Sequence, residues 1–226
     1  MPAPGQFILN KQVIPSELRS REWEAARVDY WRMERAFVMA GKVRFEDAQA
    51  CRNAAAALAN GKVSLIEARR AVREELERAG YRPTPGTAGT IKDIYTPRRL
   101  DVTLKTNVNM ARGYAEKNRL TGNAMYPASE LHRNRQSREP RDWQTRWNEA
   151  AAAVNYEGVA RDGSFIALND SPIWAALSRW RTPYPPFDYG SGMWWRPVKW
   201  RVAEKKGLVT DEDMARIESQ RPESFN

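Results

Sequence analysis

Apolar residues in the first third of the chain recur at the spacing of helices. From residue 17 to 40 they fall three to five positions apart, which predicts one long amphipathic helix. A second helix is predicted over 45–59, and a third opens at the capping-box spacing after Ser64 and ends before Gly80. Residues 1–15 are apolar and punctuated by proline and glycine, so we interpret them as an arm that needs a surface to lie on.

A stretch rich in proline, glycine and threonine follows these helices. Residues 82–96 lack helical spacing, so we predict a linker or an ordered loop and place a domain boundary there. Thr96 and Pro97 are the residue types of a helix cap and first turn, which predicts a helix to about Leu120. We divide the chain into an N-terminal arm with helices, a linker, a main domain and a tail: 1–81, 82–96, 97–209 and 210–226.

The C-terminal half mixes short elements of both kinds. Residues 130–133 have the composition of a strand, and the run Pro140-Arg141-Asp142-Trp143 predicts the opening of a short helix. An Asp-Gly pair within 158–168 predicts a β-hairpin. Thr210, followed by three acidic residues, predicts the start of a final short helix.

Residues 170–198, which we call the aromatic stretch, hold five prolines, two glycines, four tryptophans and two tyrosines. The prolines argue against a helix interior or a central strand. So many aromatic rings are too hydrophobic for a flexible linker, and we predict an ordered loop held by aromatic packing. Thr103, Asn107 and Tyr114 form a polar stripe on the preceding helix, which indicates hydrogen bonds to a neighbouring loop, with a ligand as the alternative.

Composition limits the class of protein. Hydrophobic residues make up 42% and charged residues 29%, as in ordinary folded domains. No apolar window is long enough to span a membrane and no secretory signal pattern is present, so we expect a protein that stays in the cytoplasm where it is made. The formal net charge is +9, with +5 on each of residues 97–161 and 172–206. Basic surfaces interleaved with tryptophan and tyrosine suit nucleic acid, and an acidic protein partner is the alternative.

Few residues are grouped in a way that favours catalysis. The single cysteine, Cys51, lies in an alanine-rich run, which favours a small buried hydrophobe over a nucleophile. The single histidine, His132, rules out a two-histidine metal site, and a packing role is favoured over a general base. The carboxylates are scattered near arginines, and the chain has no nucleotide-binding fingerprint. We therefore expect no enzyme activity, no metal and no cofactor.

Arginines are concentrated in residues 130–149. One hypothesis makes them phosphate contacts on nucleic acid, with three tryptophans as further interface residues. The alternative is salt bridges with the four acidic residues of the same run, and the net charge of only +1 over the run favours it. The candidate contact residues are Arg133, Arg135, Arg138, Arg141, Arg146, Trp194, Trp195 and Trp200.

Five stretches resemble, in order, the motifs of the phage Mu F-like head-morphogenesis family. R-R-L-D-V-T-L-K-T-N-V-N-M-A-R-G-Y resembles its R-L-x-x-I-x-x-T-N-x-x-x-A-Y helix, and P-R-D-W followed by R-W falls at its central Arg-Pro segment. D-S-P-I-W is similar to its D-P-x-W motif, P-P-F-D-Y-G-S-G-M to its P-P-x-x-x-G turn, and A-E-K-K-G-L to its tail. The resemblance covers roughly residues 97–209. We take as its structural positions Thr106, Asn107, Tyr114, Trp143, Asp170, Pro172, Trp174, Pro185, Pro186, Gly190 and Gly192.

The resemblance implies a minor structural protein of a tailed-phage or prophage head, present in few copies and located in the virion. Such a protein acts in head assembly and in DNA packaging or delivery near the portal. Portal or capsid proteins are the implied partners, packaged DNA is a candidate contact, and the protein is expected to be oligomeric in the assembled particle.

The resemblance also sets the expected fold and the alternatives. We predict an α+β protein, with an N-terminal helical arm or hairpin bundle followed by a Mu F-like domain with a small sheet. Because the family's core is similar in fold to ADP-ribosyltransferases, an enzyme of that kind is one alternative, and a nucleic-acid-binding module is another. Many members carry Cys-Arg-Cys where this chain has M-W-W-R, and a histidine where it has Gln144 and Thr145, so a site built on those residues is not expected here.

Overall fold

The computed structural model describes residues 3–14, 34–39, 43–134, 141–156 and 164–220. These residues form eight helices and two small sheets, which confirms the prediction of a mixed helix-and-sheet protein. The chain divides into two compact units, Met1–Arg112 and Gly113–Asn226, which we call unit 1 and unit 2. The division falls inside the longest helix.

The helices and strands are numbered in chain order. The helices are α1 (Pro4–Leu9), α2 (Phe45–Ala59), α3 (Leu65–Arg78), α4 (Pro97–Leu120), α5 (Trp143–Ala153), α6 (Ile173–Leu177), α7 (Trp200–Lys205) and α8 (Asp211–Ser219). The strands are β1 (Gln12–Ile14), β2 (Ala36–Val38), β3 (Ala128–Arg133), β4 (Ile166–Leu168) and β5 (Met193–Val198).

The N-terminal segment, predicted as an arm that needs a surface to lie on, lies on the core of unit 1. It forms α1 and β1, and Ile8 and Val13 are buried in the core of the unit. The backbone N–H of Gly5 donates to the side-chain oxygen of Asn60 at 2.9 Å, which fixes α1 beside the end of α2. The described part of this segment therefore packs on the chain's own core through Ile8 and Val13, while Leu9 is exposed.

The end of the long predicted helix is also different in the structure. Residues 36–38 form β2, which pairs in parallel with β1 so that Phe37 lies opposite Val13. Phe37 is fully buried, and aromatic and β-branched residues favour a pleated surface. The prediction of a helix is wrong there because apolar spacing alone does not distinguish this short buried strand. Most of the predicted helix, residues 17–33, lies outside the described residues.

The next two helices of unit 1 begin and end where the sequence predicts. The hydroxyl of Ser64 accepts from the N–H of Glu67 at 3.2 Å, and the Glu67 carboxylate accepts from the N–H of Ser64 at 2.6 Å. Gly61 and Gly80 follow α2 and α3 with φ of 68° and 65°, the left-handed conformation that glycine adopts most easily. The apolar face of α3 is buried at Ala68, Val72 and Leu76.

Residues 82–96, predicted as a linker or an ordered loop, are an ordered loop of turns. The buried carboxylate of Asp93 accepts from the backbone N–H of Gly89 and of Tyr95, both at 2.9 Å, and from the hydroxyl of Tyr81 at 3.2 Å. The loop leads into α4, whose first turn is capped by the Thr96 hydroxyl as predicted.

Cys51 gives the first testable prediction. It is fully buried in the core of unit 1, and this burial raises the pKa of its thiol to about 12. Because the reactive thiolate is then scarce at neutral pH, we expect Ellman's reagent to leave the native protein unmodified and to titrate one thiol in concentrated guanidinium chloride. Rapid reaction of the native protein would show that the helix α2 face is not buried.

Unit 2 is built on a three-stranded antiparallel sheet in the order β4-β3-β5. The central strand β3 contains the strand predicted over 130–133, and Leu131 lies opposite Trp195 of β5. The turn of the predicted 158–168 hairpin lies outside the described residues, and its end forms β4, which pairs with β3.

The aromatic stretch is less irregular than predicted. It begins with the short helix α6 and ends with β5, so the prediction of a loop throughout is wrong at both ends. The proline of β5, Pro197, is on an edge strand, where a missing N–H is tolerated. The residues between them, 178–192, form the irregular part, which we call the proline loop.

Two short helices end unit 2. Residues 203–206 belong to α7 and its cap, and Gly207 follows with φ of 70°. Thr210 and Asp213 form a reciprocal capping box at the start of α8, which confirms the predicted start of the last helix. Among the described residues, no helix is both long and apolar enough to cross a membrane.

Candidate functional site

Trp174 is the centre of the aromatic packing in unit 2. It is fully buried on α6, and its ring lies 5.5 Å from Trp147, 5.7 Å from Phe187 and 5.2 Å from Trp195. Its indole N–H donates to the carbonyl of Leu168 at 2.8 Å, so the ring is held by both apolar and polar contacts. The predicted aromatic packing of the stretch is confirmed.

Gly113 on α4 allows the backbone of the proline loop to approach the helix closely. A Cβ at Gly113 would lie 1.9 Å from the carbonyl oxygen of Pro185, a distance that no side chain can occupy. The next residue, Tyr114, packs edge-on against Tyr184 with ring centroids 5.8 Å apart. Pro185 and Pro186 are joined by a cis peptide bond and are both buried. The middle of the proline loop is therefore fitted against the C-terminal half of α4.

Hydrogen bonds hold the rest of the proline loop in one shape. The N–H of Arg179 donates to the carbonyl of Phe187 at 2.9 Å, and the buried hydroxyls of Ser178 and Thr182 lie 3.0 Å apart. Gly190 and Gly192 have φ of 54° and 68°, which is why the turn needs glycine at these places. The loop is ordered through its backbone as well as through its rings.

Asp188, at the tip of this loop, is bound by three arginines. The residue is only 4% exposed, yet the guanidinium of Arg146 lies 2.8 Å from its Oδ2, that of Arg141 3.4 Å from Oδ2, and that of Arg179 3.5 Å from Oδ1. Oδ1 also accepts from the backbone N–H of Tyr189 at 2.7 Å. We call these four residues the Asp188 cluster, and it is the candidate functional site.

The arginines of the Asp188 cluster are fixed by more than the carboxylate. Arg141 donates to the carbonyl of Tyr189 at 2.9 Å, and Arg146 donates to the carbonyl of Leu177 at 3.4 Å. Two of the guanidiniums also lie near rings, Arg146 at 4.5 Å from Trp143 and Arg179 at 5.4 Å from Tyr189. The three side chains remain 27–37% exposed, so the cluster is a fixed group of cations that solvent can reach.

The structure separates the arginines predicted as a set. Arg141 and Arg146 enter the Asp188 cluster, Arg133 is at the end of β3, and Arg135 and Arg138 lie outside the described residues. Arg179 belongs to the cluster although sequence reasoning missed it. Nothing in its local sequence marks it, because it reaches Asp188 only through the turn of the proline loop.

The predicted salt-bridge partners are wrong for the described arginines. Arg141 and Arg146 pair with Asp188, which is distant in sequence, and Glu130 pairs with Arg196 across the β3–β5 ladder. Asp142 instead caps α5: the backbone N–H of Thr145 donates to it at 3.0 Å and holds the pKa of its carboxyl below the usual value.

The three tryptophans considered for an interface have different environments. Trp195 is buried, 3% exposed, beside Trp174, so its prediction as a contact residue is wrong. Trp194 is half-buried on the other face of β5, and Trp200 is 37% exposed at the start of α7. The sheet explains the difference, because successive residues of a strand point to opposite faces.

The other predicted structural positions have local roles. Asn107 donates from its side-chain amide to the carbonyl of Thr103 at 2.9 Å, one turn back in α4, rather than to a neighbouring loop. Asp170 forms an ion pair with Arg216 of α8, and Pro172 caps the start of α6. Thr106 is half-buried in α4, and Trp143 is buried at the start of α5.

In the described part of the chain, no three histidine, cysteine or acidic side chains are grouped so that they could hold a metal ion. Comparison with known proteins finds no match to a family model, to a curated protein or to a solved structure. The Asp188 cluster therefore has to be interpreted from its own charges and contacts.

Replacing Asp188 by alanine is expected to lower the free energy of unfolding by about 2–3 kcal/mol, because three guanidiniums and one N–H lose their shared acceptor. The arginines are partly exposed, so water compensates part of the loss. Asp188→Asn is the matched control, because it keeps an acceptor for Tyr189 and is expected to lose about half as much. Urea unfolding followed by circular dichroism measures both, and an alanine variant as stable as the wild type would contradict the role given to Asp188.

Proposed function

We propose that the chain is a minor structural protein of a tailed-phage or prophage head, acting in head assembly and in DNA packaging or delivery near the portal. The observation that supports this proposal is that stretches resembling the head-morphogenesis motifs pack against one another in unit 2. Asp188 of the P-P-F-D-Y-G-S-G-M stretch holds Arg141 and Arg146 of the central segment. Trp174 of D-S-P-I-W stacks on Phe187 of the same stretch.

These contacts explain why the motif residues occur together. Motifs scattered over the surface would suggest a chance likeness. Residues that pack into one core are the kind of residues that members of a family share. Gly113 and Tyr114 belong to the helix motif, and they fit against the proline pair of the loop motif. The resemblance thus concerns one packed substructure, which we take to be a Mu F-like domain.

The proposal gives the domain a structural rather than a catalytic role. Asp188, the buried carboxylate at the cluster, is bound by cations on both oxygens and is a poor general base or nucleophile. An open cleft of about 380 Å³ beside α8 contains Asp170, and that carboxylate is bound by Arg216. No observation on the described residues favours the ADP-ribosyltransferase alternative.

The support does not come from the N-terminal segment. A bare apolar arm would have been direct evidence of a docking partner, but Ile8 and Val13 lie in the core of unit 1. The contact with portal or capsid is therefore not assigned to the described N-terminal segment.

Co-sedimentation with procapsids tests the proposal. Purified chain is mixed with procapsids of the phage or prophage that encodes it, and we expect it to pellet with them and to stay in the supernatant alone. Procapsids assembled without portal are the matched control, because loss of binding there assigns the contact to the portal rather than to the shell. Equal recovery in the pellet with and without procapsids would contradict the proposed role.

A further inference from the structure

We propose that the Asp188 cluster is a binding site for a phosphate group, with the guanidiniums of Arg141 and Arg146 as its main donors and Arg179 beside them. This assigns a ligand chemistry to the cluster that goes beyond a structural role in a particle. The proposed phosphate site does not depend on a role in a phage head, because it is inferred only from charges and contacts within unit 2.

Positive charge exceeds negative charge among the four residues of the Asp188 cluster. Arg141 and Arg146 both lie on Oδ2 of Asp188, so even these two guanidiniums bring one more positive charge than the carboxylate neutralises. Arg179 is a third cation on the same carboxylate. Like charges this close repel one another, and one guanidinium would be enough to neutralise a buried carboxylate. An added anion removes this repulsion.

Arg141 and Arg146 have more N–H donors than their contacts within the cluster use. A guanidinium has five N–H groups. Arg141 contacts Asp188 through its Nε and donates to the carbonyl of Tyr189 through one terminal nitrogen. Arg146 likewise directs one terminal nitrogen to Asp188 and the other to the carbonyl of Leu177. Both side chains keep further N–H groups, and both are partly exposed, so a ligand from solvent can reach them.

The guanidiniums of Arg141 and Arg146 are already held in place before a ligand binds. Carbonyl contacts position Arg141 and Arg146, and the ring of Trp143 supports the guanidinium of Arg146. Less side-chain entropy is therefore lost when a ligand binds. Planar guanidiniums match the oxygens of a phosphate group with two parallel hydrogen bonds, which favours phosphate over a halide or a simple counter-ion.

The wild-type protein provides the first test. Spectra of the arginine Nε–H groups are recorded by NMR while inorganic phosphate replaces chloride at constant ionic strength. We expect the signals of Arg141 and Arg146 to shift with saturation, and that of Arg196, which pairs with Glu130 on the exposed ladder, to stay unchanged. A short single-stranded oligodeoxynucleotide forms the second arm.

The two arms distinguish the source of the phosphate group. Saturating shifts with inorganic phosphate show that a free phosphate group suffices, and shifts with the oligonucleotide alone show that the site takes phosphates of a nucleic-acid backbone. Either result supports the site. If neither ligand moves the signals of Arg141 and Arg146, or if Arg196 moves equally, the proposal is overturned.

Variants give the second test, with affinity for the ligand that binds as the readout. Arg146→Gln is expected to weaken binding about tenfold or more, because a charge-assisted pair of hydrogen bonds is lost. Arg196→Gln removes the same charge from unit 2 and is expected to change affinity less than about twofold. Asp188→Asn removes the competing carboxylate and is expected to tighten binding about fourfold.

The Asp188→Asn result separates a ligand site from a purely structural ion cluster. A structural cluster predicts that this variant loses order and binds no better, whereas a phosphate site predicts tighter binding by a protein with native circular dichroism. Equal weakening by Arg146→Gln and Arg196→Gln would mean that only the overall charge matters, and that would also overturn the proposal. Failure of procapsid co-sedimentation would leave these results unaffected.

Discussion

Replacing Trp174 by alanine is expected to lower the free energy of unfolding of unit 2 by about 3–5 kcal/mol. The side chain is fully buried and contacts Trp147, Phe187 and Trp195, so its removal leaves a cavity in the middle of the aromatic packing. The carbonyl of Leu168 also loses its indole donor. Urea unfolding followed by far-ultraviolet circular dichroism measures the change, because that signal is dominated by the helices and strands of the backbone.

Two control variants make the Trp174 result specific. Trp174→Phe keeps an aromatic ring but loses the N–H donor and part of the volume, and a smaller loss of about 1–2 kcal/mol is expected. Trp200→Ala removes a tryptophan that is 37% exposed, and its effect is expected to be clearly smaller than that of Trp174→Ala, about 1–2 kcal/mol. If Trp174→Ala and Trp200→Ala were equally mild, Trp174 would not be the centre of the core.

Replacing Gly113 by alanine is expected to destabilise unit 2 by about 3 kcal/mol, although alanine is the better helix former by about 1 kcal/mol. The added Cβ would lie 1.9 Å from the carbonyl oxygen and 2.9 Å from the carbonyl carbon of Pro185. Both atoms belong to the backbone, so the proline loop has to move away from α4. This movement disturbs the aromatic contacts of the loop. Thermal and urea unfolding both measure the loss.

If the proline loop did not touch α4, Gly113→Ala would be expected to stabilise the protein instead. In that case the higher helix propensity of alanine would raise the free energy of unfolding. Arg112→Ala, at the exposed preceding position, is the matched control and should change stability by less than about 0.5 kcal/mol. A stabilising Gly113→Ala substitution would therefore contradict the packing of Pro185 on α4.

Local signals explain the parts of the fold that the sequence predicts. Ser64 and Thr210 carry both halves of a capping box within three residues, and their helices begin there in the structure. Thr96 with Pro97, and Gly80 after α3, are signals of the same kind. Each depends on neighbouring residues only, so each is visible without knowledge of the tertiary fold.

Parts that depend on distant residues are those that sequence reasoning missed. Residues 36–38 become a strand because β1 is beside them, and the parallel pairing of two short strands leaves no local mark. The Asp188 cluster likewise joins Arg141, Arg146 and Arg179 through the turn of the proline loop. The sequence indicated the residue types of the site, an aromatic loop and nearby arginines, but the actual ion pairs required the fold.

The proposed role in a phage or prophage head is tested most directly in the particle itself. Particles produced from the genome that encodes the chain are purified by density gradient, and their proteins are quantified by mass spectrometry against the portal protein. The account predicts that the chain is present in DNA-filled particles in few copies, comparable with or fewer than the portal subunits. A chain found only in the unassembled fraction, and absent from procapsids and filled heads alike, would contradict it.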